Sequence, residues 1–149
     1  MKSLLILNTA FLLVFTAACG TMREKNEKKQ DAAGKIQKAE LVENIDEFRK
    51  SAPVRIISVS LTDNVLKLDI EFSGGCNEHS FRLLGSTAIL KSFPAQRGIM
   101  LFHENNGDSC RELLLESLYF DISAFAYPNS EIILNLDGWP DKIPYTATK

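Results

Sequence analysis

Two short stretches of the chain contain residues that could bind a metal or form a disulfide. SGGCNEHSF contains Cys76 and His79, and HENNGDSC contains His103 and Cys110. Two thiolates and two imidazoles make up the ligand count of a tetrahedral zinc site. The same cysteines could instead form a Cys76–Cys110 disulfide. The choice depends on the compartment, and the spacing, C-x2-H and then H-x6-C after a long gap, is not that of a standard finger or ribbon.

The beginning of the chain, MKSLLILNTAFLLVFTAAC, has the composition of a secretory signal. Lys2 precedes an apolar run from Leu4 to Phe15, and small residues follow until Cys19. The run is shorter than the roughly 20 residues that a membrane-spanning helix needs. TAAC with the following Gly20 resembles the lipobox of bacterial lipoproteins.

This resemblance implies that residues 1–18 are a signal peptide and that Cys19 becomes a lipidated, acylated amino terminus. Several acyl chains exceed the two signals that stable membrane attachment requires. Gly20 stands where an aspartate would favour retention in the inner membrane, and no acidic run follows it. The implied location is the bacterial cell envelope, at the outer membrane and facing the periplasm.

An oxidising envelope compartment favours the disulfide, because exported thiols seldom stay free. Cys76 and Cys110 are the two cysteines that remain once Cys19 carries lipid. A bridge that closes a loop of roughly 35 residues could stabilise the domain by about 3 to 4 kcal/mol. We therefore predict a disulfide and no cofactor. The alternative is a metal site or a redox-active thiol pair in a Cys2His2 cluster of Cys76, His79, His103 and Cys110.

Residues 19–51 are expected to separate the signal from the folded domain. TMREKNEKKQDAAGKIQKAE is nearly free of large apolar residues and carries charges of both signs, as a solvated tether does. From Ile36 to Phe48 apolar residues recur at helical spacing, which predicts a short amphipathic helix that ends before Pro53. The folded domain is then predicted over residues 52–149.

The segment VRIISVSLTDNVLKLDIEF predicts a β-hairpin, because apolar and polar residues alternate on both sides of Asp63-Asn64. Register and amphipathicity agree if these two residues form the turn. The expected pairs are Leu61 with Leu66, Val59 with Leu68, Ile57 with Ile70, Ser58 with Asp69 and Ser60 with Lys67. One face of this hairpin would be wholly aliphatic and the other polar.

A second hairpin is predicted around Asn106-Gly107, the dipeptide that favours a type I′ turn. With a two-residue loop His103 falls opposite Cys110. SCRELLLES competes as a helix, because Ser109 and Glu112 have capping-box spacing. We predict a strand there, because the segment leads into the alternating SLYFDIS. In that strand Leu118, Phe120 and Ile122 would face the core.

The remaining strands are predicted from SFRLLGS, GIMLFHE and SEIILNL, with Gly, Pro and Asn between them. No alternating helices are available to build a parallel sheet. The pattern predicts an all-β fold, either an antiparallel β-sandwich or a small barrel. An immunoglobulin-like topology stays open, although Trp139 follows both cysteines instead of lying between them.

Composition and motifs argue against several classes of function. The chain has 17 Lys and Arg against 19 Asp and Glu, a net charge of −2. It therefore lacks the excess of positive charge that is typical of nucleic-acid-binding proteins. It contains no G-x-S-x-G elbow, H-E-x-x-H helix or P-loop pattern. The acidic residues near the cysteines, such as Glu78 and Asp108, are typical of a solvated rim. We expect no catalytic residues.

Three aromatic residues beside prolines or glycines are candidates for exposed binding anchors. They are Phe93 in KSFPAQRG, Tyr127 in FAYPNS and Trp139 in DGWPDK. The alternative is that they cap the ends of the core. The sequence thus indicates a membrane-anchored, non-enzymatic binding or structural module whose partner is an envelope protein, peptide or glycan. The runner-up is a metal-binding or thiol-redox lipoprotein.

Overall fold

The computed structural model describes residues 34–148, so the predicted signal, Cys19 and the tether up to Ala33 lie outside the described residues. The strands are β1 (Gln37–Lys38), β2 (Glu40–Val42), β3 (Arg55–Thr62), β4 (Val65–Gly74), β5 (Ser80–Ser86), β6 (Ala95–Glu104), β7 (Glu112–Asp121), β8 (Ile132–Leu136) and β9 (Ile143–Tyr145). Two short 3-10 helices cover Ile45–Phe48 and Ser123–Phe125. Neither of these helices in the described range is long enough to cross a membrane.

The strands form two sheets, and the predicted β-sandwich is confirmed. One sheet has the order β1-β7-β4-β3 and the other β2-β5-β6-β8-β9. The sheets are mixed, however, because β1 with β7, β2 with β5 and β6 with β8 are parallel pairs. Parallel neighbours need crossover connections, which the chain makes by passing repeatedly between the sheets. This is not the purely antiparallel arrangement of an immunoglobulin-type sandwich.

The first hairpin, β3 with β4, confirms the predicted register around Asp63-Asn64 except at one pair. Leu61 lies opposite Leu66, and the predicted pairing continues as far as Ser58 with Asp69. A bulge between Ile56 and Ser58 then shifts the strand, so that Ile56 and not Ile57 pairs with Ile70. The extra residue turns Ile57 outward, where it is exposed.

The second predicted hairpin is wrong, because β6 and β7 belong to different sheets. Asn106 and Gly107 do adopt positive φ angles of 48° and 72°, as a type I′ turn requires. The turn only reverses the chain locally, and the loop around it carries the chain from one sheet to the other. His103 pairs with Phe81 of β5 and not with Cys110.

The predicted helix from Ile36 to Phe48 is also wrong. The segment forms β1 in one sheet, β2 in the other and one 3-10 helix, and only Ala39 in it is buried. An apolar repeat does not by itself distinguish a helix from edge strands. Here the backbone of the segment pairs with β7 and β5. The strands of the sandwich therefore begin at Gln37, before the predicted boundary at residue 52.

The core lies between the inner faces of the two sheets, and the predicted alternation of β7 is confirmed. Leu118, Phe120 and Ile122 are buried. The predicted strands SFRLLGS and SEIILNL correspond to β5 and β8. The fully buried large side chains are Tyr145, Phe120, Phe125, Leu66, Leu68, Ile70, Leu83, Leu84, Ile99, Ile122, Ile132 and Leu134.

We expect that removal of β1 and β2 destabilises the sandwich. A chain starting at Ser51 keeps the hydrogen bond from the His103 backbone N–H to Ser51 Oγ but loses the pairing of β1 and β2. Its thermal midpoint should lie at least about 4 °C below that of a chain starting at Gly34, the shift expected for a loss of about 1 kcal/mol. A chain starting at Thr21 is the control and should match the Gly34 chain. Equal midpoints for the Ser51 and Gly34 chains would contradict a structural role for these strands.

Candidate functional site

The two cysteines join two of the chain's crossings between the sheets. Gly75, with φ 114°, turns the chain after β4, and Cys76 follows it. Cys110 lies in the other crossing, just before β7. The predicted disulfide between Cys76 and Cys110 is present, with a Cα–Cα distance of 5.9 Å. It staples the loop from β4 to β5 onto the loop from β6 to β7.

Asp108 holds the same two loops together through hydrogen bonds. Its Oδ2 accepts the backbone N–H of Cys76 at 2.9 Å and of Asn77 at 3.0 Å, and its Oδ1 accepts that of Cys110 at 2.7 Å. The side chain is buried. The backbone N–H groups of Asn77, Cys110 and Cys76 hold the pKa of Asp108 well below its usual range, and His79 adds a smaller effect. Asp108 is thus a structural anion and not part of a solvated rim.

The protonation of the two histidines follows from their partners. His103 Nδ1 lies 3.1 Å from the carbonyl oxygen of Pro53 and must carry a hydrogen, because a carbonyl only accepts. His79 Nε2 lies 3.1 Å from Asp108 Oδ2 and must carry one for the same reason. His79 Nδ1 and His103 Nε2 face each other at 2.7 Å. The two rings thus form a chain of polar contacts from the Pro53 carbonyl oxygen to the Asp108 carboxylate.

Aromatic side chains enclose the histidine pair. The Phe81 ring stacks on His103 at a centroid distance of 4.6 Å, and Phe72 contacts His79 at 4.8 Å. His103 is only 2% exposed, and this burial lowers its pKa. A side chain at Gly74 would collide with the His79 ring, so the ring packs directly on the backbone of β4.

The structure brings the four residues of the metal alternative to one end of the sandwich, but not as a metal site. The sulfurs of Cys76 and Cys110 are bonded to each other and cannot act as thiolate ligands. The facing nitrogens of His79 and His103 are 2.7 Å apart and contact each other. The predicted Cys2His2 site is incompatible with this disulfide-bonded form.

The surroundings of the disulfide also disfavour thiol chemistry. A carboxylate oxygen of Asp108 and the two sulfurs all lie within 4.8 Å of one another. Reactive cysteines need a positive environment that stabilises the thiolate, and a buried carboxylate has the opposite effect. The bridge is therefore best understood as a staple.

Two of the three predicted aromatic anchors lie together on the surface. Phe93 is fully exposed, at 105% of its reference area, and Tyr127 is exposed as well. With Ile89 and Pro94 they line a groove of about 590 Å³, which we call the Phe93 groove. Trp139 lies elsewhere, partly buried against the core, as the core-capping alternative predicted.

Hydrogen bonds hold the loop that presents Phe93. Ser92 Oγ donates to the carbonyl oxygen of Pro94 at 2.6 Å, and Gln96 Nε2 donates to Ser92 Oγ at 3.1 Å. The backbones of Leu90 and Gln96 exchange two hydrogen bonds, of 2.9 and 3.0 Å. The loop is therefore ordered by its own polar groups, and it presents the Phe93 ring to solvent.

Sequence reasoning missed two buried polar residues. Asp108 was grouped with the surface acids, although its position two residues before a cysteine, in an Asn-Gly-Asp turn, is a recognisable Asx-turn signal. Arg97 is buried on β6, where Nη1 donates to the Ser86 carbonyl oxygen and Nε has no hydrogen-bond partner among residues 34–148. Burial lowers its pKa. No local pattern distinguishes Arg97 from a surface arginine.

The sequence matches no protein-family model and no curated protein. Three solved structures share the fold. One is a NigD-like immunity protein from Bacteroides caccae, with 18% identity, a TM-score of 0.56 and coverage of 74% of this chain and 64% of that one. A DUF1344 protein of unknown function from Bacteroides vulgatus has 18% identity, a TM-score of 0.52 and coverage of 76% and 57%. A protein described as toxin related from Parabacteroides distasonis has 17% identity, a TM-score of 0.50 and coverage of 75% and 62%. This chain thus spans less than two thirds of each neighbour. At these identities the likeness shows the fold alone.

Because folding lowers the pKa of His103, we expect acid to destabilise the domain. The unfolded chain protonates His103 near its ordinary value of about 6.5, while the folded chain resists protonation until a lower pH. The stability conferred by neutral His103 is complete above the pKa of the unfolded chain and is lost as the pH falls from there through the folded pKa. Urea unfolding between pH 7.5 and 4.5 should show this loss, and His103→Phe should flatten the slope. A His103 NMR titration at or above the ordinary value would contradict it.

Proposed function

We propose that this chain is a lipid-anchored envelope protein whose disulfide-stapled β-sandwich binds a protein or peptide, without catalysis, through the Phe93 groove. The observation that carries the binding part is Phe93 itself. Its ring is wholly exposed in a loop whose conformation is held by hydrogen bonds. Exposed aromatic rings on ordered loops are typical anchors of protein interfaces.

The surroundings of the groove suit a mixed apolar and polar ligand. Leu90, beside Phe93 in the chain, is 64% exposed and adds apolar surface. Lys91 and Glu131 line the groove and provide one charge of each sign. A polypeptide with an apolar anchor and polar flanks matches this surface, because interfaces bury apolar anchors at the centre and keep charges at the rim.

Two observations support a role without catalysis. The histidines and Asp108 satisfy one another in a buried cluster, so their polar atoms are engaged in structure. The Bacteroides caccae neighbour is described as an immunity protein, a description that fits a non-enzymatic module.

Support for the anchor comes from the sequence and from the disulfide. The lipobox resemblance in TAAC and Gly20 is the basis for lipidation at Cys19. A structural disulfide in a small domain fits an exported protein, because disulfides persist in oxidising compartments. Tethering at the membrane would also raise the effective concentration of the Phe93 groove near an envelope partner.

The anchor is tested by radiolabelled palmitate in a bacterial host. The wild-type chain should incorporate label, and Cys19→Ser should not, because the lipid requires the Cys19 thiol. Thr21→Ala, two residues further on, is the matched control and should label as the wild type does. Equal labelling of Cys19→Ser and wild type would rule out the anchor.

The binding surface is tested with a phage-displayed library of random peptides selected on the folded domain. Selected peptides should bind Phe93→Ala at least roughly thirtyfold more weakly than wild type, since truncation of an anchor costs about 2 kcal/mol. Tyr127→Ala should also weaken binding. Leu41→Ala removes an exposed apolar residue of β2, outside the Phe93 groove, and is the control. Peptides that bind Phe93→Ala and wild type equally would contradict the proposed groove.

A further inference from the structure

The strand β7 has a long unpaired edge. β7 pairs with β4 along its whole length, from Glu112 to Asp121, without a bulge. On its other side, β1 pairs only with Phe120 and Asp121. Gly34, just before β1, lies beside the Tyr119 ring and the Ser117 carbonyl oxygen. Within residues 34–148, the stretch from Glu112 to Glu116 has no neighbouring strand on that side, and at about 3.4 Å per residue it is roughly 17 Å long.

The backbone of this edge is available to a further strand. Ala39 N–H donates to the Asp121 carbonyl oxygen at 2.9 Å, so the polar groups of Asp121 point toward the β1 side. Backbone groups of alternate residues point the same way, which directs those of Leu113 and Leu115 outward from the sheet. In the described part of the chain no backbone hydrogen bond reaches these two residues from that side. Such an edge is a ready template for strand addition.

The side chains on the outer face of this edge are apolar. Leu113 and Leu115 are 63% and 70% exposed on the outer face of the sheet. Proteins usually blunt free edges with lysine, proline or a bulge. Between Glu112 and Tyr119 the strand has none of these. Two leucines beside unpaired backbone groups are the features that a partner strand would cover.

The opposite face of the same edge carries two acidic residues. Glu112 and Glu116 flank Leu114 on this face, and neither forms a salt bridge among the described residues. Desolvation by burial raises the pKa of Glu116. Because Glu112 and Glu116 lie on one face of the strand, a pairing segment with lysine or arginine on that face would complement their charge.

We propose that the free edge of β7 binds an extended partner segment in which apolar and basic residues alternate. Residues adjacent across paired strands share a face. The apolar side chains of the partner would cover Leu113 and Leu115, and its lysines or arginines would face Glu112 and Glu116. Backbone hydrogen bonds would provide affinity, and the alternation of side chains would provide specificity, as in other cases of strand addition.

A second copy of this chain is a poor occupant of the same edge. Two β7 strands paired about a two-fold axis would gather Glu112 and Glu116 of both copies on one face. Like charges across paired strands are destabilising. The edge also lies on the sheet opposite to that of β6 and β8, whose first residues adjoin the Phe93 groove. The two surfaces can therefore be tested independently.

The test uses a fluorescein-labelled heptapeptide of alternating lysine and isoleucine with the mature chain. We expect saturable binding below about 1 mM. The same peptide with every backbone amide N-methylated, or with glutamate in place of lysine, should bind at least about tenfold more weakly, because each loses one of the two recognition elements. Phe93→Ala should bind as wild type does, which separates this edge from the Phe93 groove.

Two variants of the chain complete the test. Leu115→Pro removes a backbone N–H that points out of the sheet and should weaken peptide binding at least about tenfold. The double variant Glu112→Lys with Glu116→Lys should invert the preference, so that the glutamate peptide binds more tightly than the lysine peptide. The double variant Glu43→Lys with Glu47→Lys changes the charge by the same amount at exposed positions outside β7 and the Phe93 groove, and is the control. No binding of the lysine peptide by the wild-type chain, equal binding of the N-methylated peptide, or an unchanged preference in the double variant would overturn the proposal.

Discussion

The rest of the sandwich depends on the clamp that joins two crossings between its sheets. The Cys76–Cys110 disulfide and the Asp108 carboxylate connect residues 75–79 to residues 105–111. By loop-closure entropy the bridge is worth about 3 to 4 kcal/mol, a large part of the stability of a small domain. Because Asp108 binds backbone N–H groups on both sides of the bridge, the two loops keep one geometry.

The clamp also explains why polar rings lie among the core aromatics. Asp108 accepts a hydrogen bond from His79 Nε2, the two rings contact each other, and the Pro53 carbonyl oxygen accepts one from His103 Nδ1. A buried polar group is costly unless its hydrogen bonds are made, and here each ring nitrogen has a partner. The chemistry-bearing residues of the chain are therefore used for structure. Its recognition surfaces lie elsewhere, at the Phe93 groove and the β7 edge.

How well the sequence predicted each element depended on the range of the interactions. The β3–β4 hairpin was predicted in register, because the turn at Asp63-Asn64 and the alternation on both sides act over a few residues. Ile57 was placed wrongly, because a bulge is decided by packing across the sheet. Asn106-Gly107 formed the predicted turn, but the strands on its two sides, β6 and β7, belong to different sheets and do not pair. Positive φ angles specify a chain reversal but not the sheet that the next strand joins. The helical spacing from Ile36 to Phe48 was overridden by pairing with strands far away in sequence.

By itself the sequence determined the all-β class and the inner face of β7, because these follow from side-chain alternation. It favoured the pairing of Cys76 with Cys110 on the expectation of export but left a metal or redox site open, and the structure decided between them. Lipidation at Cys19 stays a prediction of the same kind. Only the tertiary structure decided that Phe93 is exposed while Trp139 packs on the core, and that His79 meets His103. It alone left one edge of β7 uncovered within residues 34–148. These features depend on which distant segments come together, and no spacing along the chain encodes that.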